Sequence, residues 1–593
     1  MKKIIYLLGI MAMVTLTSCD LDTPAQSTLE ESIIFSTPGL AIDAVDGIKE
    51  PFGQTNSYRG RFIPWYGMNT DVEWNNNGQN YATSDQYDLV NYDPKSVNSQ
   101  MNTDNNAWAQ MYASIERANI VIRGIRTYGN PIPGSEMGEL LGEALTLRAI
   151  VYADLTKAWG DVPARFEPIT GETVFLPKSS RDVIYKQLLA DLDEAADLVP
   201  WPNESILSSS VERVNKAFVK GLRARIALIA GGYQQYPDGI RLSTDPDLSR
   251  NAMYTIALNE CLDVINSGTA HLESTFETLW RKVCLEDTSA GGEALWQLPF
   301  NSGRGRVCFT FGVRHRSVDQ HTGQARGGVA GPTPTLFYDY AQADQRRDVT
   351  CVPYEWGTAD ANGWSQQQLT SIDQWNFGKY RYEWMDRFVT SSNDDGLNWM
   401  YMRYAEVLLM AAEASNELNG PAAAAPYLRQ VRERAFAPAD RPVNVDAYIA
   451  AAQSSPEAMF NAIVEEHKLE FTGEMLRKQA LIRWNLLGDK LDEAKVKMNN
   501  LSSRTGEYAD IPTTLYWKID ENDNESLVVY GLNPGEEGSP GADYSSQTWD
   551  VVNPDKINSI YKPGVDPDAH QFWPIWQVFI EASNGQLVND YGY

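Results

Sequence analysis

At 593 residues the chain is long enough for several domains or one extended array, and 43% hydrophobic residues argue for a folded protein. Its formal charge of −28 is scattered rather than gathered into blocks. A field of that sign repels phosphate backbones and anionic lipid surfaces, which excludes nucleic acid as a partner.

The chain opens on a secretory pattern. Lys2 and Lys3 precede an apolar core from Ile4 to Leu16, and Ser18 stands directly before Cys19. Such a segment is too short to span a bilayer stably. It resembles a lipoprotein signal, in which residues 1–18 are removed and Cys19 is acylated. At roughly 0.8 kcal/mol per buried methylene, two or more acyl chains hold a protein on a membrane almost permanently. Residues 19–37, polar and carrying Pro24, read as a tether.

Residues 38–107 show no sustained periodicity and form a first loop-rich insertion. Within it, Trp65 to Tyr92 is the richest recognition segment. Trp65, Tyr66, Trp74 and Tyr81 offer flat faces, and Asp71, Glu73, Asn75, Asn76, Asn77 and Asn80 offer short hydrogen-bonding side chains. Rings that stack plus amides that both donate and accept suit a neutral polyol. The candidate ligand-binding residues here are Trp65, Asp71, Trp74, Asn75, Asn77 and Tyr81.

Helical periodicity then runs from about Trp108 to Arg126, with Met111, Ile115, Ala118, Ile122 and Ile125 at steps of three and four. A Gly/Pro loop leads to a second helix, Glu136 to Trp159. Its Leu141, Leu145, Arg148, Tyr152 and Leu155 share one stripe, while Gly142, Ala149 and Ala153 line a neighbouring one where another helix approaches closely. The unit recurs as Arg181–Leu198 with Asn215–Gly231, followed by Tyr254–Asn266. After a second insertion, 268–396, Asn398–Leu418 pairs with Ala422–Ala435, and Pro456–Leu487 follows. A third irregular segment covers 501–593.

The expected fold is therefore all-α: a tetratricopeptide-like array of helical hairpins over about 108–267 and 398–500, with minor short strands. Insertions of this length far exceed ordinary connections of about 4–6 residues. On a rigid scaffold, such loops are where binding usually resides. Residues 38–593 read as one domain.

No GxSxG, HExxH, P-loop or GxGxxG occurs, and no catalytic, metal or cofactor site is predicted. His315 and His321 read as solvated loop residues, since their spacing fits no metal motif. Cys261, Cys284, Cys308 and Cys351 read as buried thiols or at most one bridge. Asp520 to Glu525 reads as a solvated turn, because Glu525 stands where a calcium loop needs Gly. The Gly- and Arg-rich stretch from Asn301 to Gly331 supplies a second recognition candidate. There Arg304 and Arg306 are suited to carboxylates or oxygen-rich edges.

Four segments together resemble the SusD/RagB family of surface nutrient-binding lipoproteins. They are Glu143–Tyr152 running on to Trp159-Gly160-Asp161-Val162-Pro163, and Arg403-Tyr404-Ala405-Glu406-Val407-Leu408-Leu409 with Ala412-Glu413-Ala414. The others are Glu465 to Phe471 with Gly473-Glu474, Arg477 and Arg483-Trp484, and the terminus from Phe572-Trp573-Pro574-Ile575-Trp576 to Tyr593. His467-Lys468, Gln479-Ala480 and Trp576 depart from the usual pattern, at scaffold positions. The resemblance implies a lipid-anchored outer-membrane protein facing the cell exterior. It would be a non-enzymatic lid on a SusC-like TonB-dependent transporter that captures oligosaccharides. Two other readings stand beside it: a peptide receptor of RagB type, with Arg304 and Arg306 on carboxylates, and a surface glycosidase with paired carboxyl groups.

Overall fold

The computed structural model describes residues 29–76, 85–390 and 393–593. The signal segment, Cys19 and most of the tether lie outside them. The tether's last residues are not an extended linker: Glu31–Ser36 is helical, and Phe35 is buried against Gly124.

The helical array is present as expected, and residues 38–49 of the first insertion, read as loop, add a further helix to it. Its members are α1 (Pro38–Lys49), α2 (Ala107–Gly124), α3 (Glu136–Trp159), α4 (Arg181–Leu198), α5 (Lys216–Ala230), α6 (Arg250–Ser267), α7 (Tyr404–Asn419), α8 (Pro421–Ala435), α9 (Pro456–Phe471), α10 (Arg477–Trp484) and α11 (Leu487–Ser503). Side-chain caps set the starts: Asn106, Ser135, Asn215 and Ser455 each accept an N–H of the following first turn. Successive helices from α2 to α6 pack on one another, α7 closes on α6, and α8 on α7.

Helix α3 is the axis of the fold. Every residue but Glu136 and Lys157 is buried, so the apolar stripe of the sequence continues all round the helix. Gly142 permits this, since a Cβ there would stand 2.5 Å from Val199 Cγ1 beyond the end of α4.

The expected helix 456–487 is broken. Gly473 (φ +87) and Met475 (φ +58) turn the chain between α9 and α10, and Asn485 (φ +58) turns it again before α11. The expected helix from Asn398 instead begins as a strand.

The strands are short: β1 (Glu73–Asn75), β2 (Ala294–Leu298), β3 (Ala330–Pro332), β4 (Trp399–Arg403), β5 (Thr514–Ile519), β6 (Leu527–Tyr530) and β7 (Ser545–Thr548). Antiparallel pairs join β1 to β3 and β4 to β2, with Trp74 opposite Gly331 and Met400 opposite Gln297. A three-stranded sheet has the order β6-β5-β7. Asp520 to Glu525 forms the turn between β5 and β6.

A buried ionic network stitches the second insertion to the helices. Arg403 reaches Glu293 (2.8 Å), Glu470 (2.5 Å) and Glu474 (2.9 Å). Arg346 reaches Asp344 (2.7 Å), Glu466 (2.6 Å) and Glu470 (2.8 Å). Arg432 pairs with Glu466, Arg434 with Glu293 and Glu470, and Lys379 with Glu474. Five cations thus face five carboxylates with almost no access to water.

Candidate ligand-binding face

The first insertion does not present the expected surface. Trp74 has no exposed area; it packs with Trp375 and Trp549 in a secondary core, and Lys556 lies 4.3 Å above its ring. Trp65 is buried in the main core and Asn75 beside β3. The Asp71 carboxylate is committed to Arg477, which it meets at 2.9 and 2.7 Å. Pairing of β1 with β3 draws this segment inward, so its rings and amides fill the molecule instead of facing ligand. The solvent-facing role of Trp65, Asp71, Trp74 and Asn75 is therefore corrected. Asn77 and Tyr81 lie outside the described residues.

The second insertion carries the exposed groups. Asp360 folds the chain into a tight turn by accepting the N–H groups of Asn362 (2.8 Å) and Trp364 (2.9 Å), with Gly363 at φ +80. These bonds hold the Asp360 carboxyl below its ordinary pKa. The turn displays the indole of Trp364 at 43% exposure. Next to it, Ser365 N–H donates to Gln320 (2.8 Å), whose amide donates to Ser365 O and Glu525. Two residues further on, Thr322 bridges to Val389, and the neighbouring Phe388 is 50% exposed against Gly323. Residues 319–323 therefore run between two exposed aromatic rings and carry Gln320 between them.

Polar groups continue along this face. Arg326 donates to Asn393, and Arg306 to Asp394 at 3.3 Å, with its guanidinium 5.8 Å from the Phe309 ring. Arg304 projects into solvent from the adjoining loop. Arg316 and Gln368 converge on Glu355, at 2.6 and 3.1 Å.

Beneath the face, His315 is buried, not solvated as its loop position suggests. It meets Asp319 at 2.7 Å and Glu383 at 3.8 Å. Burial opposes its charge, but the hydrogen bond to Asp319 and the nearby Glu383 carboxylate outweigh burial and raise its pKa. Burial likewise opposes the Glu383 charge, yet the proximity of His315 and the charge of Arg381 bring it down to about 2. This buried pair fixes the loop that carries Gln320. The four cysteines among the described residues, Cys261, Cys284, Cys308 and Cys351, are buried free thiols; burial pushes Cys284 up to about 12.

A crevice of about 550 Å³ also opens in the helical half, between Tyr233, Tyr254, Phe460 and Trp484. Several of its groups are engaged: Tyr254 and Trp484 both donate to Glu413, and Arg250 lies 5.4 Å from both tyrosine rings. The loop face, with unengaged rings beside amides, is the better ligand surface.

Sequence reading missed Trp364, Phe388 and Gln320. The Asp-x-Asn-Gly-Trp run was the available signal, since it combines turn chemistry with a ring that has no helical partner.

Two family models match the chain. The one described as the SusD family covers residues 322–593, and one described as starch-binding, associating with the outer membrane, covers 59–228. SusD-like protein P25 of Formosa agariphila is 24% identical over 66% of this chain and 72% of its own length. SusD-like protein P38 of the same organism is 22% identical over 79% and 89%. Among solved structures, a SusD homolog from Bacteroides thetaiotaomicron superposes with a TM-score of 0.71 at 18% identity, over 94% of this chain and 98% of that one. Surface glycan-binding protein A from the same organism, in complex with laminarihexaose, gives 0.60 at 17% identity over 93% and 99%. Helical array, short sheets and both family models agree, and the chain matches the SusD/RagB family over residues 59–228 and 322–593.

Proposed function

We propose that this protein captures oligosaccharides at the cell surface without altering them and passes them to a SusC-like TonB-dependent transporter, held to the outer membrane through acylated Cys19. One observation carries the reading: Trp364 and Phe388 stand exposed on loops that a rigid helical scaffold holds in place, with Gln320 between them. The exposed rings offer a sugar a stacking face, and the Gln320 amide, bonded to Ser365 and Glu525, fixes the loop and leaves one lone pair of its oxygen for a hydroxyl. The description of one matching model as starch-binding and the laminarihexaose complex of a structural neighbour support the same ligand class. Arg304 and Arg306 belong to this face, and Asn77 and Tyr81 remain proposed contributors.

Isothermal calorimetry against plant, host and microbial oligosaccharides tests the reading. Trp364→Ala is expected to weaken binding about tenfold, equivalent to ~1.4 kcal/mol, at an unchanged melting temperature. Trp74→Ala is expected to cost stability instead, roughly 3–5 kcal/mol for a large buried ring. Wild-type affinity in the Trp364 variant would remove the face from the binding site.

A further inference from the structure

At one end of the loop face the charge balance inverts. Arg59 grips Asp394 through both carboxylate oxygens, with Nε 2.7 Å from Oδ1, and gives its other Nη to Gly53 O at 3.3 Å. Arg306 reaches the same Oδ1 at 3.3 Å. It lies across the backbone between Arg59 and Arg61, since a Cβ on Gly60 would stand 3.4 Å from Arg306 Nη1. Arg61 completes the group. Its Nε is buried without a hydrogen-bond partner among the described residues. Burial and then the charge of Arg306 lower its pKa from the ordinary guanidinium value.

Three guanidinium groups therefore converge where Asp394 is the only carboxylate paired with any of them among the described residues. Asp395, next in sequence, does not redress the balance. Its carboxylate is turned inward onto the N–H groups of Val307, Phe309 and Leu397, and burial raises it to about 7. Arg304 adds a fourth, exposed cation two residues from Arg306. Crowding like charges in a partly dry site costs free energy unless an anion joins them. In a chain of net charge −28 such a surplus runs against the general field.

We propose that the captured glycan is anionic, and that Arg61, Arg306 and Arg304 hold a carboxylate or sulfate group on it. This deepens the glycan-binding reading and rests on it. The planar fork of arginine matches both groups through paired hydrogen bonds. The half-buried Phe309 ring beside Arg306 supplies an apolar face for the sugar that bears the charge. An acidic peptide would satisfy the arginines too, but Trp364 and Gln320 on the same face favour hydroxylated rings.

Calorimetry with length-matched neutral, uronate-bearing and sulfated oligosaccharides, and with polyglutamate, tests the proposal at two salt concentrations. Binding is expected for an anionic sugar, weakening as salt rises; whether the uronates or the sulfated set bind identifies the group held. Arg61→Gln and Arg306→Gln are each expected to lower affinity by roughly tenfold or more, the scale of a lost hydrogen bond to a charged group. Arg304→Gln, at an exposed position, keeps the test open should a buried variant fail to fold. Tight binding of a neutral glycan, indifferent to salt and to all three substitutions, overturns the anionic class and leaves glycan capture standing. Binding of polyglutamate alone, or silence across the panel, overturns both.

Discussion

Glu73 shows how a residue that invites a binding role is used by the fold. One of its oxygens accepts the Gly473 N–H at 2.8 Å, and the other is buried without a hydrogen-bond partner among the described residues. Burial raises its pKa to about 8. A carboxyl group whose folded pKa exceeds its unfolded value binds more protons in the native state, so it lowers stability as pH rises from about 4.5 to 8. Asp395, raised to about 7, acts in the same direction. His315 does as well: its raised pKa gives stability that is complete below 6.5 and lost as pH climbs through the folded value. Glu383 opposes them only in acid, because its contribution is present above 4.5 and disappears as pH falls through about 2. Buried Lys478 and Lys556, lowered to about 7, and His467, lowered by burial, act in the opposite direction over the same range, so the fall that Glu73 contributes is read from the difference in melting temperature between wild type and Glu73→Gln from about pH 5 to 8.5. Glu73→Gln keeps the acceptor for Gly473 and is expected to flatten that fall, each unit of displacement being worth ~1.4 kcal/mol. A melting profile identical to wild type would mean that Glu73 is ionised in the native protein. None of this was legible locally. Glu73 meets Gly473 across 400 residues, and Asp71 meets Arg477 across 406. In the sequence, Trp74 and its Asn neighbours look like Trp364 and Asn362, and only the pairing of β1 with β3 separates buried from exposed.

The helices, in contrast, were nearly all legible, because their periodicity and caps are local. Glu136–Trp159 and Arg181–Leu198 have the expected bounds, and α2, α5 and α8 shift by a residue or two. Failure came where a turn depends on backbone angles that periodicity does not encode. Gly473 was a visible breaker, but Met475 and Asn485 adopt the left-handed region within an otherwise helical pattern. The family-like motifs take their physical meaning at this scale. Arg403, Glu470, Glu474 and Arg477 are buried ion-pair partners and touch no candidate ligand surface. Glu470 accepts from Arg346, Arg403 and Arg434 on three separate segments. Burial opposes its charge, but the charges of Arg434, Arg403 and Arg346 hold its carboxyl well below the ordinary range. Glu470→Gln is expected to destabilise the protein by roughly 3–5 kcal/mol, the usual cost of leaving buried charges uncompensated. Glu457→Gln, exposed in the first turn of the same helix, is the matched control, expected within about 0.5 kcal/mol of wild type. Urea unfolding of the two variants checks both, and a near-neutral Glu470→Gln would show that the network is hydrated rather than buried.

At the scale of the whole molecule, the same network limits how the protein can move. Glu293, Arg346 and Lys379 of the second insertion are tied to α8, α9, β4 and the turn after α9 by buried pairs, and α3 packs on several helices at once. An internal hinge between array and insertion would have to break several of these pairs together, each costly to expose singly. Ligand binding shifts a conformational equilibrium only through differential affinity for two accessible states, and here no second internal state is cheap. In the proposed assembly with a transporter, any opening and closing is therefore expected to be rigid-body motion of the entire protein against that partner. In isolation, ligand is expected to slow hydrogen exchange in 301–326, 357–366 and 386–396, leaving α3, α7 and α9 unchanged and the small-angle scattering radius constant. Compaction of the isolated protein on binding, or altered exchange along α9, would place the moving joint inside the chain. The loop face would then be a jaw that closes on its ligand rather than a fixed platform.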